Sequence, residues 1–423
     1  MPPLSDNEAS VEANRCLYCY DAPCTHACPT HIDIPKFIKK IATGNLIGSA
    51  RTILESNLLG ATCARVCPVQ ELCEGACVLG SDHKPISIGR LQRHATDYVA
   101  ERGLDVFKPG PATGKRVAVI GAGPAGLTCA GELRKLGHDV MVFEKREMPG
   151  GLSTYGIIRL REPIEVALGE AEMIGRMGVQ FEYDAELGRN LNLSELQAKF
   201  DAVFLGVGLG LSPSLGIPGE ESILDGLVVI EQSKTDAANL MIGQNVIVIG
   251  AGNTAVDCAT IAKRLGAASV TMAYRRTDRE MTAYDHEYEF IKQEGVNFWF
   301  RAQPIRVVVD RRRVTGLECL SMSLGEPDAS GRATPIPVPG SEFILPADQI
   351  IKAIGQEKPG LASLLGLKTN GGFLQVNDEF ETSVPGVFAG GDCTRAWGAA
   401  STVMAVQDGK LAAQAIHGRL RCE

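Results

Sequence analysis

Residues 116–145 read RVAVIGAGPAGLTCAGELRKLGHDVMVFEK. A β-branched run leads into glycines, then an amphipathic helical pattern, then a second apolar run, which is a βαβ unit. Gly121, Gly123 and Gly126 stand in the GxGxxG spacing, with Ala122, Pro124 and Ala125 between them. The first glycine permits a tight turn, the second lets the backbone approach a pyrophosphate, and the third packs helix against strand. The helix N-terminus that follows favours phosphate charge. Glu144 ends the second strand eighteen residues after Gly126, where a carboxylate accepts a ribose hydroxyl. The bland alternative is a glycine turn without a ligand, and it leaves the acid unexplained.

The design recurs at 246–276, VIVIGAGNTAVDCATIAKRLGAASVTMAYRR, the clear internal repeat of the chain. Gly250 and Gly252 keep the first two positions, Ala255 takes the third, and Ala251, Asn253 and Thr254 complete the turn. Alanine is an accepted variant at that third position. The second strand ends in Tyr274-Arg275-Arg276 rather than in an acid, and guanidinium groups there suit a 2′-phosphate. The first copy therefore reads as an FAD site and the second as an NADP(H) site, with NADH use left open. Two further stretches of glycines and short strands, 349-QIIKAIGQ-356 and 387-VFAGGDCTR-395, close the chain. Gly391 and Asp392 are candidates to close over the flavin's sugar-like chain.

The expected fold class is α/β. An N-terminal α-helical iron–sulfur domain (1–108) precedes two Rossmann-like, doubly wound and nested domains. The FAD-binding domain takes 109–215 and 346–423, and the NAD(P)-binding domain 216–345. The segment 108-KPGPATGK-115 is a linker, and 325-GEPDASGRATPIPVPG-340 reads as a surface loop.

Eight of the thirteen cysteines fall between Cys16 and Cys77. They run Cys16-x2-Cys19-x4-Cys24-x3-Cys28-Pro29 and Cys63-x3-Cys67-Pro68-x4-Cys73-x3-Cys77. The N-terminus, MPPLSDNEAS, has neither the basic nor the apolar region of a signal peptide. The most apolar run, Ala202 to Leu211, is too short to span a bilayer. A soluble, cytoplasmic protein without a membrane partner is expected, and structural disulfides are rare in that compartment. A net charge of −8 lacks the basic footprint of a nucleic-acid binder. Zinc is the usual reading of paired CxxC motifs. The dense, asymmetric spacing ending in Cys-Pro is ferredoxin-like instead and points to iron–sulfur clusters beside the flavin. Cys129 and Cys258 stand singly on the two fingerprint helices, so no dithiol relay is expected. No nucleophile–base constellation is visible, and the chemistry belongs to the cofactors.

From about Asn14 to His417 these residues resemble the flavin and iron–sulfur portion of dihydropyrimidine dehydrogenase. The resemblance is narrowest to the NAD(P)H-oxidising subunit of its bacterial two-subunit form, and the small subunit of glutamate synthase is a close relative. The runs 57-NLLGATCARVCPVQELCEGAC-77 and 86-ISIGRLQR-93 favour the pyrimidine branch, the first by its five residues between Cys67 and Cys73. The resemblance implies one 4Fe-4S cluster on Cys16, Cys19, Cys24 and Cys77. It implies a second on Cys28, Cys67, Cys73 and the side-chain oxygen of Gln92, leaving Cys63 a free thiol. It implies flavin contacts at Gly151, Leu152, Arg161, Leu187, Ser401 and Thr402, and nicotinamide contacts at Ala251 to Thr254, Ala353, Ile354 and Gly355. Arg279 stands in for an arginine expected shortly after Arg276. The implied partner is an FMN-containing barrel subunit with ferredoxin-like clusters, which reduces uracil or thymine, because this chain stops at Glu423 as its flavin domain closes. The alternatives are the electron-input subunit of a glutamate synthase and a metal- and flavin-containing redox-sensing module without turnover.

Overall fold

The computed structural model describes residues 2–328, 330–395 and 401–422. The chain divides into two compact units. One comprises Met1–Thr154, Leu160–Leu209 and Lys358–Glu423; the other comprises Tyr155–Arg159 and Gly210–Glu357.

The first unit begins with short helices. Ser5 opens Asp6–Asn14 through a capping box with Glu8, and Asn45 caps Leu46–Ser56. Helix Ile34–Ala42 buries Ile34, Phe37, Ile38 and Ile41, the spacing of one helical face. Helix Ile88–Glu101 presents Ile88, Leu91, Ala95 and Val99 to the same apolar core. A parallel sheet follows, in the order Val387–Ala389, Ala202–Leu205, Arg116–Ile120, Asp139–Phe143, Gln180–Glu182. The glycine-bearing strand is central, and the chain order reverses beside it. In open α/β sheets the crevice at that strand's carboxyl end is the ligand position.

The second unit repeats the plan, with strands ordered Leu224–Asp225, Gln349–Lys352, Asn245–Ile249, Ser269–Tyr274, Asn297–Phe300. Its glycine-bearing strand, Asn245–Ile249, is again central. The expected boundary at 345/346 falls inside this unit, which runs through Glu357 because Gln349–Lys352 pairs with Asn245–Ile249. Such pairing joins residues a hundred apart and leaves no local mark. The expected loop at 325–340 is mostly strand. Arg313–Pro327 and Ala333–Pro346 form an antiparallel pair, with Ala302–Asp310 on the other side of Arg313–Pro327. Pro335, Pro337 and Pro339 lie on the edge strand, where a missing ladder donor is tolerated. Among the described residues no helix is long and apolar enough to cross a membrane.

Candidate cofactor sites

In the first unit, a Cβ on Gly126 would stand 1.9 Å from the carbonyl oxygen of Gly121. Only glycine lets helix Pro124–Lys135 start so close to the strand-end turn. At Gly123 there is room: the nearest atom to its would-be Cβ is the Gly151 Cα at 3.9 Å. Two glycines thus leave a stretch of bare backbone beside a helix start that no side chain caps. Orphan amides next to open space are what a pyrophosphate requires. Glu144 is 6% exposed. Its two oxygens accept the Ala122 and Arg146 amides at 2.7 and 2.9 Å, and each oxygen keeps a lone pair for a ribose hydroxyl.

The chain returns to this turn from its far end. The would-be Cβ of Gly391 lies 2.9 Å from Cβ of Ala125, and its amide donates to Asp408 at 2.9 Å. Asp392 begins the short turn that follows. Burial raises its carboxyl above the ordinary value, against the pull of Arg395. Ser401 precedes the long helix Thr402–Cys422, which Thr402 opens. Leu152 is exposed and Arg161 partly so. Leu187 is buried in an apolar cluster with Ile120, Phe143 and Leu205. Asp408, which holds the Gly391 amide and pairs with Arg395, escaped the sequence reading. Its one signal was that it is the single acid of a helix whose other charged side chains are basic.

In the second unit, Gly250 has φ +132°, and its would-be Cβ meets the Ala353 carbonyl oxygen at 2.2 Å. Ala353 therefore lies against the turn, with Ile354 half-buried and Gly355 following. The Ala251 carbonyl accepts the Thr282 and Ala283 amides, and Asn253 accepts the Tyr284 amide at 3.2 Å. Helix Asn253–Arg264, with Thr254 in its first turn, also starts uncapped by any side chain. The two arginines diverge. Arg276 is buried, donating to the Ala333 carbonyl and to Asp328, both at 2.7 Å. Arg275 and Arg279 are exposed. Arg276 thus anchors the antiparallel sheet, and Arg275 is the member of the pair that faces solvent.

The cysteines form two groups. Cys16, Cys19, Cys24 and Cys77 line one cavity with Ile34, Ile38, Ile86 and Ile88. Burial and then the neighbouring Cys77 and Cys16 push the Cys24 thiol up to about 11. Cys67 lies beside Cys63, Cys73 and Cys28; the Cys63 contact, then burial, holds its thiol well above the usual range. Thiols so crowded ionise poorly alone, whereas bound metal deprotonates a thiol outright. Both groups fit iron on these grounds. Among the described residues no three His, Cys, Asp or Glu side chains converge as they would on a single ion. Gln92 is buried on the helix packed against Gly60–Val66, and its amide nitrogen donates to the Gly60 carbonyl at 2.7 Å. Cys63 is buried on Gly60–Val66 itself.

A buried acid, also missed from the sequence, secures that helix. Glu170, on Ile164–Arg176, accepts the Ala61 amide at 2.7 Å and the Thr62 amide at 3.2 Å. Thr62 in turn donates its hydroxyl to Glu162 at 2.5 Å. Burial pushes the Glu170 carboxyl up to about 8.

Residues 1–104 match the family described as dihydropyrimidine dehydrogenase domain II, 4Fe-4S cluster, and residues 115–409 match pyridine nucleotide-disulphide oxidoreductase. The chain is 36% identical to the glutamate synthase (NADPH) small chain of Escherichia coli, covering 98% of this chain and 92% of that one. It is 35% identical to the NAD-dependent dihydropyrimidine dehydrogenase subunit PreT of the same organism, over 98% and 95%. Several other curated relatives are longer, and the chain spans 52% to 67% of them. Among solved structures, Mycobacterium tuberculosis FprA in complex with NADPH superposes with a TM-score of 0.60 at 18% identity, over 74% of this chain and 85% of that one, a likeness of fold. The chain belongs to the pyridine nucleotide-disulphide oxidoreductase family, in the branch joined to a dihydropyrimidine dehydrogenase-type 4Fe-4S domain, and is an NAD(P)H-dependent flavin and iron–sulfur oxidoreductase.

Proposed function

We propose that this chain takes electrons from NADPH, or NADH, and delivers them one at a time to an FMN-containing partner that reduces uracil or thymine to the 5,6-dihydropyrimidine. The grouping of Cys16, Cys19, Cys24 and Cys77 around one apolar cavity, together with an uncapped glycine turn in the same unit, carries the reading. The first turn would hold FAD, the turn at Gly250 to Thr254 the nicotinamide nucleotide, and the two cysteine groups one 4Fe-4S cluster each. When bound, the flavin accepts electrons as a pair and releases them singly, and the clusters carry single electrons.

The residues of the chain serve binding and exclusion. Glu144 holds the turn at Ala122 and offers its remaining lone pairs to a ribose. Asp408 fixes Gly391, and so the approach of Asp392, by accepting the Gly391 amide while Arg395 balances its charge. Ile34, Ile38, Ile86 and Ile88 line the first cysteine group with apolar surface, and such a surrounding helps set the behaviour of any iron there. Arg275 would meet the 2′-phosphate of NADPH.

Anaerobic addition of NADPH should bleach the flavin of the purified chain, and iron should stand at about eight per chain for two clusters. A flavin left oxidised by both NADPH and NADH would overturn the proposal. The near-equal likeness to the glutamate synthase small chain supports a second reading that differs only in the partner. Mixing the chain with each type of partner and assaying NADPH-dependent uracil reduction against glutamate formation separates the two.

A further inference from the structure

Lys410 belongs to the closing helix Thr402–Cys422, yet its ammonium serves the helical cysteine segment. Nζ donates to the carbonyl oxygens of Ser56 at 3.1 Å and Thr30 at 3.4 Å. Thr30 is fully buried, and its hydroxyl lies 3.4 Å from the Cys28 sulfur. One side chain therefore ties the end of helix Leu46–Ser56 and the Cys28-Pro29-Thr30 turn to the helix that completes the flavin-type fold. Burial lowers the proton affinity of Lys410, while Glu132 and Cys28 support its charged form and Lys135 opposes it. The outer group of Cys16, Cys19, Cys24 and Cys77 has no counterpart among the described ion pairs and hydrogen bonds that joins it to this helix.

We propose that Lys410 is a positioning and tuning residue for the iron–sulfur group held by Cys28, Cys67 and Cys73, making that group easier to reduce and locking its Cys28 turn to the flavin-closing helix. The inference rests on the reading that this cysteine group holds a cluster. Reduction adds a negative charge, and a cation in a poorly solvated site stabilises it. Net charge, hydrogen bonding and exposure are the protein's means of setting cluster potentials. The carbonyl contacts serve the second role, since a chain segment held at Thr30 cannot drift with its cysteine.

The test is an anaerobic redox titration of the full chain followed by electron paramagnetic resonance, with iron determined on the same samples. Lys410→Met should shift the one-electron equilibrium of one of the two signals about tenfold toward the oxidised form, about 59 mV downward, and leave the other in place. Lys410→Gln keeps an N–H donor without the charge and should shift the same signal in the same sense. Lys410→Arg should restore the potential. Unshifted midpoints in Lys410→Met and Lys410→Gln at full iron content would overturn the inference. So would loss of iron in both with retention in Lys410→Arg, which would make the side chain purely structural. A wild-type chain with a single cluster signal and about four irons would instead refute the two-cluster reading beneath it.

Discussion

Cys16, Cys19, Cys24 and Cys77 gather at an apolar cavity beside the exposed side chains Leu17, Tyr20 and Val78. Cys28 and Cys73 pack against the same helical core as Cys16, Cys24 and Cys77, but Cys63 and Cys67 occupy different ground. Cys63 is buried, and it and Cys67 pack into the apolar core that holds Val119 and Leu127 of the flavin-type βαβ unit. Glu170 and Lys410, from the later part of the same unit, grip the chain around this second group. The two sets offer the same kind of side chain but differ in the charges that face them. Hydrogen bonds tie the chain around the second set to later parts of the sequence, and exposed side chains border the first.

The strongest test of that division removes a ligand from each side. Cys73→Ala should abolish electron delivery to a protein acceptor, a loss of ~100-fold or more, while NADPH still bleaches the flavin. Cys24→Ala should keep the signal of the inner group and remove the outer one. If Cys73→Ala transfers electrons normally, the inner set is not on the route.

Next in size is the buried acid beneath the inner group. With its pKa pushed up to about 8, Glu170 keeps a proton in the folded chain that the unfolded chain releases near the ordinary carboxyl value of 4.5. Stability therefore falls as pH rises between these values, and the penalty is complete above the folded pKa. Glu170→Gln, which retains an acceptor for the Ala61 and Thr62 amides, should flatten this dependence, a difference on the order of a few kcal/mol. Thermal midpoints at pH 5 and pH 8.5 measure it. An equal slope in both proteins would show that Glu170 ionises normally.

A smaller effect decides the fourth ligand of the inner group. Gln92→Leu should make its iron about tenfold more labile to chelators, and Cys63→Ala should not. The reverse order would transfer the ligand role to Cys63. The smallest effect is expected at the exposed rim. Leu17→Ser with Tyr20→Ser should raise the KM for a protein acceptor by about fivefold, roughly 1 kcal/mol of contact, and leave reduction of a small dye untouched. Equal effects on both acceptors would remove the rim from any docking role.

Legibility followed sequence distance. The turn at Gly121 to Gly126 and the acid at Glu144 form a local pattern, so strand, helix and α/β class could be read directly. The cysteines announced themselves by spacing, although the exchange of Cys77 and Cys28 between the two runs came from family resemblance. Asp408, Glu170 and Lys410 act on segments that adjoin them only after folding, such as Thr62 and Glu170 or Thr30 and Lys410. No periodicity encodes such meetings. Arg275 and Arg276 looked alike in sequence, but in the bend after Ser269–Tyr274 one is buried and claimed by Asp328 while the other faces solvent. The prolines of 333–346 read as loop because an edge strand cannot be told from a turn without its partner.

The strand Val387–Ala389 pairs with Ala202–Leu205, about 180 residues earlier (from 205 to 387). At a synthesis rate of roughly 5–20 residues per second, the ribosome needs some 10–40 s to cover that distance. During that interval the flank of Ala202–Leu205 that Val387–Ala389 will later occupy stays uncovered, and the glycine turn waits for Gly391. Nascent chains must therefore be shielded or left undisturbed over this period, and loading of the flavin belongs to the time after the last helix has emerged.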